Sequence, residues 1–154
     1  VYDVARPVQK EAVADLAAVR GRIHLRESPV ERVPVAEIVE PLEAGDLLFI
    51  DSTHVVKPSG DCTYIYLKVL PRLRAGVTVH VHDIFLPYTI PAELLRLQQY
   101  WTEQYLLLAF LLGNPGVQVT YGSHYHLNFN PRQSEAFMGG KHPPGGSSFY
   151  FRLT

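Results

Sequence analysis

The chain has 154 residues, 47% of them hydrophobic, and a formal net charge of −1, a composition that describes one folded domain with its own core and excludes a disordered chain. So balanced a charge gives no electrostatic footprint for nucleic acid or an anionic membrane, and no apolar run reaches the ~20 residues of a membrane span. The single cysteine, Cys62, excludes an internal disulfide and, with no signal peptide in view, the protein is expected to be cytoplasmic.

The opening "VYDV" is a short β-prone run, and "QKEAVADLAAVR" follows with Ala and Leu at helical spacing, closed by Gly21. "RIHLRE" alternates and predicts a strand, and "VPVAEIVEPLEAGD" a short helical piece broken near Pro41. "DLLFID" is a continuous apolar run ending in Asp51, the pattern of a strand buried on both faces. After the polar loop "STHVVKPSGD", "CTYIYLKVLPRL" predicts a helix with Ser59 or Asp61 as its N-cap. "GVTVHVHDI" is the next strand. "PAELLRLQQYWTEQYLLLAFLLG" predicts one long helix, with Pro91 in its first turn and Gly113 at its C-terminal cap. Two strands, "VQVTYGSHYH" and "SSFYFRLT", finish the chain as an antiparallel hairpin around the Gly/Pro-rich loop "FMGGKHPPGGSS". Strands alternating with helices demand parallel neighbours and helices on both faces, in a single domain over 1–154.

In such a sheet, ligands bind outside the carboxyl ends of the strands. Polar residues stand at three of those ends: Asp3, then Asp51 with Ser52, Thr53 and His54 behind it, then His80, His82 and Asp83. Neighbouring strands ending in Asp51 and in His82–Asp83 would converge three ligands, and carboxylates with an imidazole suit a divalent ion such as Mg2+ or Mn2+. His54 has the pKa range of a general base near neutrality. An Asp at a strand end can equally cap the next turn. His80 alternates with Val79 and Val81 and reads as a packed histidine. His24, His142, His124 and His126 read as structural or solvent-facing, Cys62 as inert, and Trp101, Tyr100 and Tyr105 as core or interface packing.

Three ordered segments, "AGDLLFIDSTHVVKPSGD", "VLPRLRAGVTVHVHDIFLP" and "YWTEQYLLLAFL", together resemble the C-terminal two-thirds of a class I S-adenosylmethionine-dependent methyltransferase domain. The nearest group is that of bacterial small-molecule and sugar-type enzymes with Asp-x-x-His after the fourth strand and His-Asp after the fifth. The resemblance is densest between Gly45 and Leu112. It implies an α/β, Rossmann-like three-layer sandwich with a mostly parallel sheet and an antiparallel last strand. "VYDV" becomes the second strand, Asp3 the acid on the cofactor ribose, and Glu27 and Ser28 part of the segment where adenine rests. Asp51 faces the transferred methyl group and, in metal-dependent relatives, ligates a metal, with His82 and Asp83 as the other ligands. S-adenosylmethionine is the implied cofactor, a divalent ion such as Mg2+ an optional second one, and a small-molecule hydroxyl or amine the acceptor. His54, Asp51 and His82 are the catalytic candidates, with His54 as base, and the long aromatic helix is a surface for homo-oligomer formation.

The family's first strand and Gly-rich loop have no counterpart, since no Gly-x-Gly occurs in the chain. They are expected upstream of Val1, which makes the chain a fragment of the domain. Two other readings stay open on the residues alone. One is a metal-dependent hydrolase that uses "HVHD" with His124 and His126 as further ligands. The other is a non-catalytic module derived from a methyltransferase.

Overall fold

The computed structural model describes residues 26–141 and 145–154. The opening strand with Asp3, the first predicted helix, His24 and His142 lie outside the described residues. Four strands, β1 (Leu47–Ile50), β2 (Thr78–Val81), β3 (Val117–Gly122) and β4 (Phe149–Leu153), form one sheet in the order β1-β2-β4-β3. β1 and β2 run parallel, and β4 runs antiparallel to both β2 and β3. Three described strands therefore point one way and the last runs against them. Proline-flanked α1 (Val35–Val39) precedes β1.

The crossover from β1 to β2 carries α2 (Asp61–Tyr64), which loosens into a π segment (Ile65–Val69) and then tightens into a 3-10 turn (Leu70–Arg72). Gly60 occupies the cap position expected for Ser59 or Asp61, and Asp61 turns its carboxylate to the Thr53 and Cys62 backbone N–H groups and the Thr53 hydroxyl instead. A glycine is required where β2 begins: Gly76 has φ 87°, and a Cβ there would fall 2.5 Å from that of Ala44. Its carbonyl accepts from Gly45 N–H and its own N–H donates to Leu153, which aligns the starts of β1 and β2 with the end of β4.

Val79, Val81, Phe149, Phe151 and Leu153 face Tyr66 and Leu70 of the crossover helix and Leu107 of a later helix, and together they make the main core. The other face carries Phe49, His80, Tyr150 and Tyr121 in register, with successive ring centroids 4.7, 4.2 and 6.0 Å apart. His80 thus packs between rings, as the alternation predicts, and burial lowers its pKa. β1 differs from the expected doubly buried strand: Leu47 and Phe49 are 53% and 51% exposed.

Two helical assignments change. The predicted long helix is two, α3 (Ala92–Arg96) and α4 (Glu103–Leu111). Between them the Thr102 hydroxyl accepts from Val56 N–H and Glu103 N–H donates to the His54 carbonyl, so tertiary bonds replace the helical ladder, and Gln98 takes a left-handed φ of 58°. The last two strands do pair antiparallel, but they are joined by α5 (Ser123–Phe129) and α6 (Pro131–Met138). Gly122 pairs with Phe149, the first residue of β4, Ser123 N–H still donates to the Ser148 carbonyl at 2.9 Å, and from there the chain satisfies its backbone groups by coiling. His124 and His126 consequently sit on a helix rather than alternating along a strand.

Candidate active site

Parallel pairing in register sets the site. Ile50 lies beside Val81, so the chain leaves β1 at Asp51 next to where it leaves β2 at His82, and His82 N–H donates to the Ile50 carbonyl at 2.9 Å. Because β4 is antiparallel, its start arrives at the same edge. There Ser147 donates its hydroxyl to Asp83 Oδ1 at 2.6 Å and accepts Ile84 N–H on its carbonyl.

The loop after β1 folds back over this edge. His54 N–H donates to Ser52 Oγ at 2.9 Å, and His54 adopts φ 59°. Asp83 adopts φ 57°. Two non-glycine residues in the left-handed region, both at one site, are backbone conformations that the surroundings must enforce. The result is a cluster around the His54 ring. Nε2 lies 3.4 Å from Asp51 Oδ1 and 3.6 Å from Asp83 Oδ2, and Nδ1 lies 2.8 Å from Glu103 Oε2. His82 Nδ1 lies 3.2 Å from Asp83 Oδ1 and 3.7 Å from Asp51 Oδ1. The buried Glu103 also accepts the Ser52 hydroxyl at 2.7 Å.

The electrostatics follow from this crowd. Burial lowers the His54 pKa, but the hydrogen bond and charge of Glu103, then the charges of Asp83 and Asp51, outweigh it, and the net shift is upward. Burial, followed by the Glu103 charge and the Glu103 hydrogen bond, holds the Tyr66 phenol well above its ordinary range.

Aromatic rings wall the cluster. Trp101 lies 5.0 Å from the His54 ring and stacks on Phe85 at 6.3 Å, and His124 sits edge-on to Phe85 and Tyr88 at 5.2 and 5.5 Å. Burial lowers the His124 pKa. Trp101, expected in the core or an interface, thus stands at the site. Tyr100 and Tyr105 are exposed.

Of the predicted site residues, Asp51, His54, His82 and Asp83 come together, with a ligand atom from each of Asp51, His54 and His82 within 4.8 Å of the others. The donor set fits a divalent cation: two carboxylates face two imidazoles, and His82 Nδ1 is buried without an aligned hydrogen-bond partner among the described residues. Glu27 is exposed, and the half-buried Ser28 donates its hydroxyl to the Pro29 carbonyl. Asp3 lies outside the described residues. His124 and His126 lie on α5 and are not among Asp51, His54 and His82, the described residues whose ligand atoms converge. Sequence reasoning missed Glu103. Its signal was the one charged residue of the segment EQYLLLAFL, directly after Trp101–Thr102.

A methyltransferase-domain family profile matches residues 3–84, more than half of the chain. The chain belongs to the methyltransferase-domain family. The match takes in Asp51, His54, His82 and Asp83 and ends before Trp101 and Glu103. No curated protein and no solved structure matches the chain. No described helix of this methyltransferase domain is long and apolar enough to cross a membrane.

Proposed function

We propose that this methyltransferase domain is of the class I type and transfers a methyl group from S-adenosylmethionine to a hydroxyl of a small-molecule acceptor. The observation that carries the reading is the convergence of Asp51, His54, His82 and Asp83 at the carboxyl edge of parallel β1 and β2, inside the family-matched segment. The surroundings fit the cofactor's sulfonium. The Asp51 side chain is 49% exposed and lies 3.4 Å from His54 Nε2, and the Trp101 ring lies 5.0 Å from the same imidazole, so an open carboxylate and an aromatic ring, two groups that attract a cation, both adjoin His54.

When bound, S-adenosylmethionine supplies a methyl group on a good leaving group, and the rate then depends on alignment and on removal of the acceptor's proton. His54 is the base. Its Nε2 faces the open carboxylates, and Asp51 and Asp83 stabilise the imidazolium that forms when the ring takes the proton. A divalent ion held by Asp51, His82 and Asp83 would add Lewis acidity at the acceptor oxygen. Glu103 is fully buried on the far side of the ring, and the exposed Tyr105 and Leu108 on α4, with Tyr100 just before it, support association between copies of the chain.

The test is label transfer. The protein in its full encoded length, given methyl-labelled S-adenosylmethionine and a panel of ring hydroxyl acceptors, is expected to label one of them. His54→Ala is expected to lower turnover by about 10²–10⁴-fold. Full turnover in His54→Ala removes His54 as the base. No label transfer, together with no calorimetric binding of S-adenosylhomocysteine, rejects the methyltransferase reading itself.

A further inference from the structure

Glu103 lies outside the family-matched residues, begins α4, and is 0% exposed. An acid in the first turn of a helix ordinarily turns toward the free backbone N–H groups or toward water. Glu103 does neither. Its Oε2 receives the Ser52 hydroxyl at 2.7 Å and lies 2.8 Å from His54 Nδ1. Its polar neighbours among the described residues are the His54 imidazole, the Ser52 hydroxyl and the Tyr66 phenol, and none of them is a lysine or arginine. A fully buried carboxylate without a cationic side chain is expensive in solvation, and an apolar residue of similar volume would pack there at less expense.

The ties to His54 are double. Glu103 N–H donates to the His54 carbonyl at 3.0 Å, while the side chains meet at the ring. Ser52 closes the circuit, accepting His54 N–H and donating to Glu103. Two residues from distant segments, Ser52 and Glu103, thus hold His54, Glu103 at the ring and both at the backbone, whose left-handed φ needs holding. A neutral imidazole carries its proton on one nitrogen. At Nδ1 a carboxylate waits at 2.8 Å, a charge-assisted hydrogen bond, whereas at Nε2 the carboxylates stand off at 3.4 and 3.6 Å. The shorter contact decides the tautomer.

We propose that Glu103 is the positioning residue of the site: it fixes His54 as the Nδ1–H tautomer and so aims an unprotonated Nε2 at the space between Asp51 and Asp83. This rests on the reading of that space as the place where acceptor and cation bind. A ligand histidine or a base histidine needs the same preparation, a partner on the far nitrogen that fixes ring and tautomer. Glu103 supplies it whichever of the two roles His54 plays.

Nuclear magnetic resonance of the full-length protein labelled with 15N-histidine, at alkaline pH where the ring is uncharged, reads the tautomer directly. Wild type is expected to show His54 as Nδ1–H. Glu103→Met, of similar volume but without an acceptor, is expected to shift His54 to Nε2–H, and Glu103→Gln, whose amide oxygen can still accept, is expected to keep Nδ1–H. An Nε2–H ring in wild type overturns the proposal whether or not the methionine variant folds, and so does an unchanged tautomer in a folded Glu103→Met. In the label-transfer assay Glu103→Met is expected to lower kcat by about 10–100-fold with KM little changed. A tautomer shift in a protein that neither transfers a methyl group to any acceptor nor binds S-adenosylhomocysteine leaves the positioning role standing and rejects the methyltransferase reading instead.

Discussion

At Cys62 the thiol sits in the main core, 3.3 Å from Ser52 Oγ, and burial pushes its pKa from an ordinary value near 9 up to about 12. The thiolate is the nucleophile, so native Cys62 is expected to resist iodoacetamide at mildly alkaline pH and to react fully once the chain is unfolded. Mass spectrometry of alkylated native protein checks this; rapid labelling would mean that the Ser52–Cys62 contact opens. The sign of the linkage follows. The folded-state pKa is raised, so the contribution to stability is present below the unfolded-state value and is lost as pH climbs from there through about 12. The same scale shows what the chain disclosed in advance. Asp51, His82 and Asp83 were legible because a strand end is a local property, marked where an apolar run gives way to polar residues. Glu103 was not, because its role depends on a neighbour 49 positions earlier in the chain. His54 was legible as a residue of interest, but the left-handed backbone that aims it is not written in a pattern of side chains.

Elements went astray where tertiary bonds outbid local ones. Residues 92–99 and 103–112 are rich in strong helix formers, yet the segment breaks between α3 and α4, at the weaker Tyr100–Trp101–Thr102, where Val56 and His54 draw Thr102 and Glu103 into bonds across the site. The break also presents Gln104 to the loop after β2. Its Oε1 accepts Phe85 N–H at 3.0 Å and its Nε2 donates to the Tyr88 carbonyl at 3.3 Å, all but out of reach of water. Gln104→Leu leaves two backbone groups without partners, each worth about 1–3 kcal/mol when buried. We expect a loss of about 2–4 kcal/mol in urea unfolding, together with impaired function, since Phe85 is the residue on which Trp101 stacks. A loss under about 0.5 kcal/mol, the range of a neutral surface change, would show that this loop is not held by Gln104. The helices between β3 and β4 are the opposite case. Gly122–Ser123 does not look like a strand end, and only the register with Phe149 makes it one.

For the whole molecule, the topology itself is the claim to test. The chain adds its last strand between β2 and β3, so β4 is central although it is last, and Phe151 pairs with Val79 on one side and Val119 on the other. Its ring is fully buried and lies 6.0 Å from that of Phe110 on α4. Removing such a ring leaves a cavity that strands bonded on both edges are slow to collapse around, and Phe151→Ala is expected to destabilise by about 3–5 kcal/mol. Against a total stability of about 5–15 kcal/mol for a domain, that is enough to unfold a substantial part of the population on modest warming. The comparison is Phe137→Ala in α6. Phe137 is 87% exposed, and the substitution is expected to stay within about 0.5 kcal/mol. Both are phenylalanines near the C-terminus of one chain, and composition does not distinguish them. Chemical denaturation followed by circular dichroism measures both. Equal effects would mean that Phe151 does not pack in the core and that β4 is not seated over α4, and the site edge it helps to build through Ser147 and Asp83 would then need another support.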